Sequence, residues 1–339
     1  MSAPVAPSIP SVRSMGLTIS MSPSTEPPQP PQDLLEYLNG RRIISTSKAY
    51  AYLKIAEGCD NHCTYCIIPY LRGPYISRKQ EDIIKEAKAL VESGYKELIL
   101  IAQDTTKYGN DIYGKPSLDI LLTELCKIEG DFRIRIMYCY PDDVTDELIA
   151  VMATNDKVCK YMDMPVQHGS DKVLKAMGRR CFSNEVKDKI HKLRKAMPDI
   201  FLRTSLITGF PGETEKDHET LKEFIKEIRF DRLGVFEYSK EDGTKAALMP
   251  NQIHQKVKEK RHNELMTIQW EISKEINEKR LKKVYDIIIE GSDYGRSYAE
   301  APEIDGLIYF TTQKEHKVGD RVLVEILEVD EYDLKGREV

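Results

Sequence analysis

Between residues 50 and 236 short apolar runs alternate with stretches of helical length, and this alternation restricts the fold more than any other feature of the chain. The apolar runs are 51–56, 97–102, 132–138, 160–165, 200–207 and 232–236. Between them lie amphipathic segments at 78–93, 117–128, 144–153, 170–177 with 184–197, and 215–229. In the first segment Ile83, Ile84, Ala87, Leu90 and Val91 recur at the three- and four-residue steps of one helix face. Strand–helix alternation repeated about six times predicts parallel strands joined by right-handed crossovers. Six units, not eight, predict an open, partial α/β barrel. Chemistry in such barrels sits beyond the C-terminal ends of the strands. Polar or glycine-containing segments follow the strands in turn: a cysteine loop after the first, Gln103-Asp104 after the second, residues 138–141 after the third, Gln167-His168 after the fourth and residues 208–213 after the fifth.

The loop after the first strand holds Cys59, Cys63 and Cys66, a C-x₃-C-x₂-C spacing. Four thiolates would close a four-iron cluster, so three leave one iron without a protein ligand. An open iron can hold a small molecule and pass it an electron, which is an enzyme's arrangement. Zinc is the competing reading, but it wants a fourth Cys or His, and zinc sites tend to come as paired C-x₂-C units. His62 is the one nearby candidate, and it sits between two of the cysteines, where it cannot easily bend back to the same metal. The spacing favours iron and sulfide. Cys126, Cys139, Cys159 and Cys181 are scattered and read as core or incidental residues.

The triad with the following Ile67-Ile68-Pro69-Tyr70-Leu71-Arg72-Gly73 resembles the radical S-adenosylmethionine enzymes, and among them the methylthiotransferases. The segment from Ile101 through Gln103-Asp104-Thr105-Thr106 to Gly109, the run Tyr161 to His168, Gly209-Phe210-Pro211-Gly212-Glu213-Thr214 and Tyr238-Ser239-Lys240-Glu241-Asp242-Gly243-Thr244 resemble the RimO family, which methylthiolates an aspartate β-carbon of the small-subunit ribosomal protein S-twelve. The resemblance implies a partial (β/α)6 radical-SAM barrel followed by a small C-terminal antiparallel β-barrel of TRAM type. It implies one open 4Fe-4S cluster on Cys59, Cys63 and Cys66 that chelates S-adenosylmethionine, and an electron donor such as flavodoxin or ferredoxin. Gln103, Gln167 and Arg203 then become candidates for holding the nucleoside and methionine portions of that cofactor. Arg203 could form a bidentate pair with its carboxylate, or simply a salt bridge at a strand end. Gly209 and Gly212 would let backbone approach the adenosine closely, and Tyr65 would pack on the adenine or serve the core. Family members carry a second 4Fe-4S cluster on three further cysteines nearer the N-terminus, whereas no cysteine precedes Cys59 here. On that ground the chain reads as lacking the usual N-terminal domain and as unable, alone, to insert sulfur. The competing functions are a transfer-RNA methylthiotransferase and a non-catalytic remnant that binds the ribosomal protein.

Composition sets the remaining expectations. With 41% hydrophobic and 31% charged residues the 339-residue chain is of ordinary globular type, and no run approaches the 18 apolar residues of a membrane span. Seven cysteines, three needed as free thiolates, suit a reducing cytoplasm. Residues 1–32 hold eight of the 17 prolines and only two charges, Arg13 and Glu26, and read as a disordered leader. A linker over 33–49, the radical-SAM core over 50–250, one or two connecting helices over 251–283 and the small barrel over 284–339 complete the division. Apolar residues Val257, Leu265, Ile268, Ile272 and Ile276 mark the connecting helices, and Gly291, Gly295, Gly306 and Gly319 the barrel's turns. The last 56 residues carry 14 Asp and Glu against six Lys and Arg, a net of −8 within a whole-chain net of −5. Such a surface would repel nucleic acid and draw a basic protein.

Overall fold

The computed structural model describes residues 44–339, so the expected leader and most of the linker lie outside the described residues. Strands β1 (Ala51–Lys54), β4 (Glu97–Ile101), β5 (Arg133–Ile136), β6 (Val158–Asp163), β7 (Phe201–Thr208) and β8 (Arg232–Glu237) form a six-stranded sheet in that order. Every neighbouring pair runs parallel. Two two-residue strands, β2 (Ala56–Glu57) and β3 (Ile76–Ser77), pair antiparallel and bracket the cysteine loop.

The helices fall where the periodicity places them. After a short α1 (Ile68–Arg72), α2 (Gln80–Glu92) buries Ile83, Ala87 and Leu90, one stripe of its surface. A one-turn α3 (Asn110–Tyr113) precedes α4 (Leu118–Cys126), α5 (Asp146–Thr154), α6 (Asp171–Ala176) and α7 (Ser183–Ala196). α8 (Glu215–Ile228) begins at a capping box in which Thr214 Oγ1 accepts from the Asp217 N–H and Asp217 accepts from the Thr214 N–H. The connecting segment is a single helix, α9 (Gln255–Glu278). Its inner face differs from the apolar reading: Val257 is exposed, while Lys258 and Arg261 are buried because each has a partner. Lys258 Nζ donates to the Tyr238 carbonyl at 2.6 Å, and Arg261 pairs with Glu213 at 3.0 Å. No helix among the described residues is long and apolar enough to cross a membrane.

The C-terminal unit is a closed five-stranded barrel of β9 (Val284–Ile289), β10 (Tyr294–Arg296), β11 (Ile308–Thr311), β12 (Arg321–Val329) and β13 (Leu334–Glu338). It is not antiparallel throughout, because five is odd and strands of alternating direction cannot close a ring of odd number. The mismatch falls between β11 and β13, which run parallel, Ile308 opposite Leu334. Gly295 lies within β10 and not at a turn; a Cβ there would stand 2.2 Å from the Ile288 carbonyl oxygen of β9. Gly295→Ala is therefore expected to destabilise the barrel by about 2–3 kcal/mol, the cost of forced overpacking, measured as a lowered midpoint in urea.

The segment after β10 closes the floor of the large sheet. Ala299 and Ala301 pack with Ile99, Met137, Tyr161 and Phe201 on the sheet's inner side. Fully buried charges pin this contact. Glu97 pairs with Arg133 at 2.5 Å, Arg135 at 2.7 Å and Arg296 at 3.3 Å, and Glu300 pairs with Arg280 at 2.6 Å. Three of the barrel's 14 acidic residues pair with its own arginines, as Glu290–Arg296, Asp286–Arg321 and Glu325–Arg337, which leaves the net of −8 unchanged.

Candidate active site

The cysteine loop is held from three sides. The Cys59 N–H donates to the Gly73 carbonyl at 3.2 Å, and Asp60 accepts from the Tyr75 N–H at 3.0 Å, tying the loop to the segment that returns to β3. Asn61 Nδ2 donates to buried Asp104 at 2.8 Å, tying it to the end of β4. The C-terminal end of α6 holds the third side: the Thr64 N–H donates to the Met177 carbonyl at 2.9 Å and Thr64 Oγ1 to the Ala176 carbonyl at 2.8 Å. Carbonyls at a helix end lack intrahelical partners, and the loop supplies them. Gly178 permits this approach, since it has φ +76° and a Cβ there would lie 2.9 Å from the His62 carbonyl oxygen.

Cys59, Cys63 and Cys66 all line one cavity of about 660 Å³ beyond the C-terminal ends of the strands. Cys63 is buried, with Sγ 3.1 Å from the Tyr140 hydroxyl. Burial pushes the Cys59 thiol up to about 11, opposed by the Asn61 N–H and reinforced by Asp104 and the other two thiols. Burial also raises the Cys66 thiol. His62 is exposed. Among the described residues no three His, Cys, Asp or Glu side chains converge on a point suited to a single metal ion. Thiolates that each ligate a different iron of a cubane need no such point.

Gln103, Gln167 and Tyr65 line the same cavity. Gln103 Nε2 donates to Glu57 at 3.1 Å, while its Oε1 is buried without a partner. Gln167 sits at φ +79° with its backbone bridged to β7, accepting from the Ile207 N–H and donating to the Ser205 carbonyl. Tyr138, also on the cavity wall, has φ +58°. Two non-glycine residues in left-handed backbone at one cavity mark strain that the surrounding fold maintains. Tyr65 packs against the cluster containing Val173, Met177 and Phe210.

Arg203, Gly209 and Gly212 do not line this cavity. Arg203 shares the inner face of β7 with Ser205, a cavity residue, but lies one pleat nearer the strand's start. There it pairs with Asp163 at 2.7 Å and faces Asp305 of the floor segment at 3.9 Å. Asp163 in turn accepts from the Tyr138 N–H at 3.1 Å, so Arg203 supports the strained residue from below. The space beside Gly209 is taken by the Lys258 stem, 2.4 Å from where a Cβ would be, and the Gly212 N–H donates to the Asn251 carbonyl. Tyr140, Asn61 and Arg179 line the cavity without having been singled out from sequence. For Tyr140 the signal was present in the polar segment after the third strand; Arg179 lies on a turn after α6, where nothing local marks it.

Residues 53–225 match the radical SAM superfamily and residues 280–339 match the TRAM domain. The chain is 54% identical over 308 residues to the ribosomal protein uS12 methylthiotransferase RimO of Acetivibrio thermocellus, a match covering 89% of this chain and 68% of that protein. It is 53% identical over 301 residues to the same-named protein of Clostridium acetobutylicum, covering 88% and 68%. Among solved structures it is similar to the radical S-adenosylmethionine methyltransferase TsrM from Kitasatospora setae, with TM-score 0.47 and 16% identity, covering 56% of this chain and 36% of that one. It is also similar to coproporphyrinogen III oxidase HemN from Escherichia coli, with TM-score 0.46 and 15% identity, covering 72% and 56%. More than half identical to such relatives over nearly nine tenths of its own length, the chain belongs to the RimO family of radical S-adenosylmethionine methylthiotransferases.

Proposed function

We propose that the chain methylthiolates the β-carbon of an aspartate in a basic small-subunit ribosomal protein, the protein S-twelve, with Cys59, Cys63 and Cys66 holding one 4Fe-4S cluster beside bound S-adenosylmethionine. The observation that carries this reading is the meeting of three cysteine thiols with an unpartnered buried acceptor, Gln103 Oε1, on the wall of one cavity. The donor set fits: soft thiolates suit iron and sulfide, and an orphan acceptor suits an ammonium or hydroxyl of the cofactor. When bound, the cluster and S-adenosylmethionine supply one-electron chemistry able to remove an unactivated hydrogen.

The chain's own residues bind and orient. Cys63 is positioned by the Tyr140 hydroxyl and Cys59 by the Asn61 N–H. Gln103 is set by Glu57, itself held by Lys54 at 2.5 Å, so its carbonyl faces the cavity in one orientation. Gln167 is fixed through its bridged backbone, and Ile101, Ala102 and Pro165 give apolar walls that exclude water. Tyr138, half exposed at the rim, stands where a protein segment would enter. The four other cysteines do not line the cavity, and the inserted sulfur is proposed to come from outside the described residues. The electron donor is proposed to be a flavodoxin or ferredoxin.

Anaerobic reconstitution with an iron count tests the cluster, with about four irons per chain expected for one cluster and about eight for two. Incubation with S-adenosylmethionine, a reductant and an aspartate-containing peptide of the ribosomal protein should then give reductive cleavage and, with a sulfide source, a methylthio mass gain on the peptide. Gln103→Ala should weaken S-adenosylmethionine binding about tenfold, the cost of one buried hydrogen bond. Mass gain on transfer RNA and none on the peptide would overturn the substrate; absence of cleavage by the loaded chain would favour a non-catalytic binding role.

A further inference from the structure

Arg179 is a buried cation without a carboxylate. It is 5% exposed, and among the described residues no Asp or Glu lies within ion-pair distance of it. Its neighbour Arg180 differs, pairing with Asp142 at 3.5 Å and standing half in solvent. The Arg179 guanidinium lies 3.6 Å from the centroid of the Tyr140 ring, whose hydroxyl is 3.1 Å from Cys63 Sγ, and donates from Nη2 to the Pro165 carbonyl at 2.7 Å. Its Nε has no partner, and the side chain lines the cysteine cavity. A buried charge needs compensation or it destabilises the fold strongly. Carbonyl and ring contacts offset only part of that cost. The Asp142 carboxylate, which feels Arg179 through space, pairs with Arg180 at 3.5 Å; on the cavity side Arg179 faces the cysteines, with Cys63 Sγ 3.1 Å from the Tyr140 hydroxyl.

We infer that Arg179 is the charge partner of the cysteine-held cluster and raises its reduction potential, acting as a positioning and tuning residue. The inference rests on the cluster reading above. Accepting an electron adds one negative charge to the group on Cys59, Cys63 and Cys66. A fixed positive charge beside Cys63, in a site shielded from water, favours that reduced state. Charge and hydrogen bonding around the sulfurs are the levers by which a protein sets such potentials. Tyr140 orients the guanidinium by stacking, and its hydroxyl touches the Cys63 sulfur.

The test is a redox titration of reconstituted full chains followed by electron paramagnetic resonance, alongside iron content and thermal melting. Arg179→Met and Arg179→Gln should each keep about four irons per chain yet titrate at a more negative potential. At fixed potential the reduced-to-oxidised ratio should fall at least tenfold, equivalent to about 59 mV for a one-electron couple. Arg179→Lys, which keeps the charge, should recover most of the shift. Selective loss of the cluster from Arg179→Met with a native melt, restored in Arg179→Lys, leads to the same conclusion. If neither neutral variant folds, Arg179→Lys decides: a midpoint near that of the unmodified chain supports the inference and a tenfold change in the reduced-to-oxidised ratio overturns it. A neutral variant with a full cluster and unchanged midpoint overturns the role of Arg179 alone. An unmodified chain that assembles no cluster overturns both this inference and the reading beneath it.

Discussion

Alanine at Cys59, Cys63 or Cys66 is expected to abolish the brown chromophore and all reductive cleavage of S-adenosylmethionine, each to below detection. The cause is ligand count: with three thiolates at the cavity, losing one leaves two to hold an iron–sulfur cubane. Cys126→Ala and Cys181→Ala act as controls, since Cys126 ends α4 and neither residue lines the cavity. Both should retain full absorbance and cleavage. Loss of the chromophore in either control, with retention in any triad variant, would contradict the assignment.

The second large effect is structural. Glu97→Ala should cost roughly 3–5 kcal/mol, as removing one partner of a buried ionic network leaves its counter-charges uncompensated. Here three guanidiniums, those of Arg133, Arg135 and Arg296, would be left facing one another at the junction of the sheet and the C-terminal barrel. Burial by itself would raise the Glu97 carboxyl, but those three guanidiniums overturn that and hold it well below the usual carboxylate range. Glu300 follows the same pattern: burial raises it, and Arg280 and Arg232 bring it down to about 2. Both folded values lie below the unfolded value of about 4.3. The stability these carboxylates contribute is therefore fully present above that value and lost as pH falls toward about 2. Urea titrations at successive pH should show the unfolding free energy of the unmodified chain dropping steeply below about pH 4, with a shallower drop in Glu97→Ala. A loss below about 1 kcal/mol at neutral pH would mean that the arginines relax to water, and that the network does not hold the two units together.

The two kinds of result differ in how far the amino-acid sequence foretells them. The six parallel strands were legible because each lies within a short, mainly apolar run, and the helices because their apolar residues recur with helical period, both local properties. The meeting of the cysteine triad at one cavity was legible for the same reason: the three cysteines lie within eight residues. From strand order it also followed that Gln103 and Gln167 would stand at the mouth of the sheet, and both line the cavity. Arg203, Gly209 and Gly212 lie off that cavity. Arg203 is on the same face of β7 as Ser205, one pleat deeper, where Asp163 engages it.

What the sequence determined by itself, then, is whatever depends on neighbours along the chain: the order of strands and helices, the spacing of the three cysteines, and the resemblance these carry. Tertiary structure alone decided the pairing of buried charges. Glu97 meets Arg296 from 199 residues away, and Arg179 shares a cavity with Cys63, whose loop packs on α6 across a glycine turn. A charged side chain read in isolation is expected at the surface, since burying it unpaired is so costly. Only the folded chain reveals the distant partner that makes burial tolerable, which is why Lys258, Arg261 and Glu97 face inward although each carries a charge.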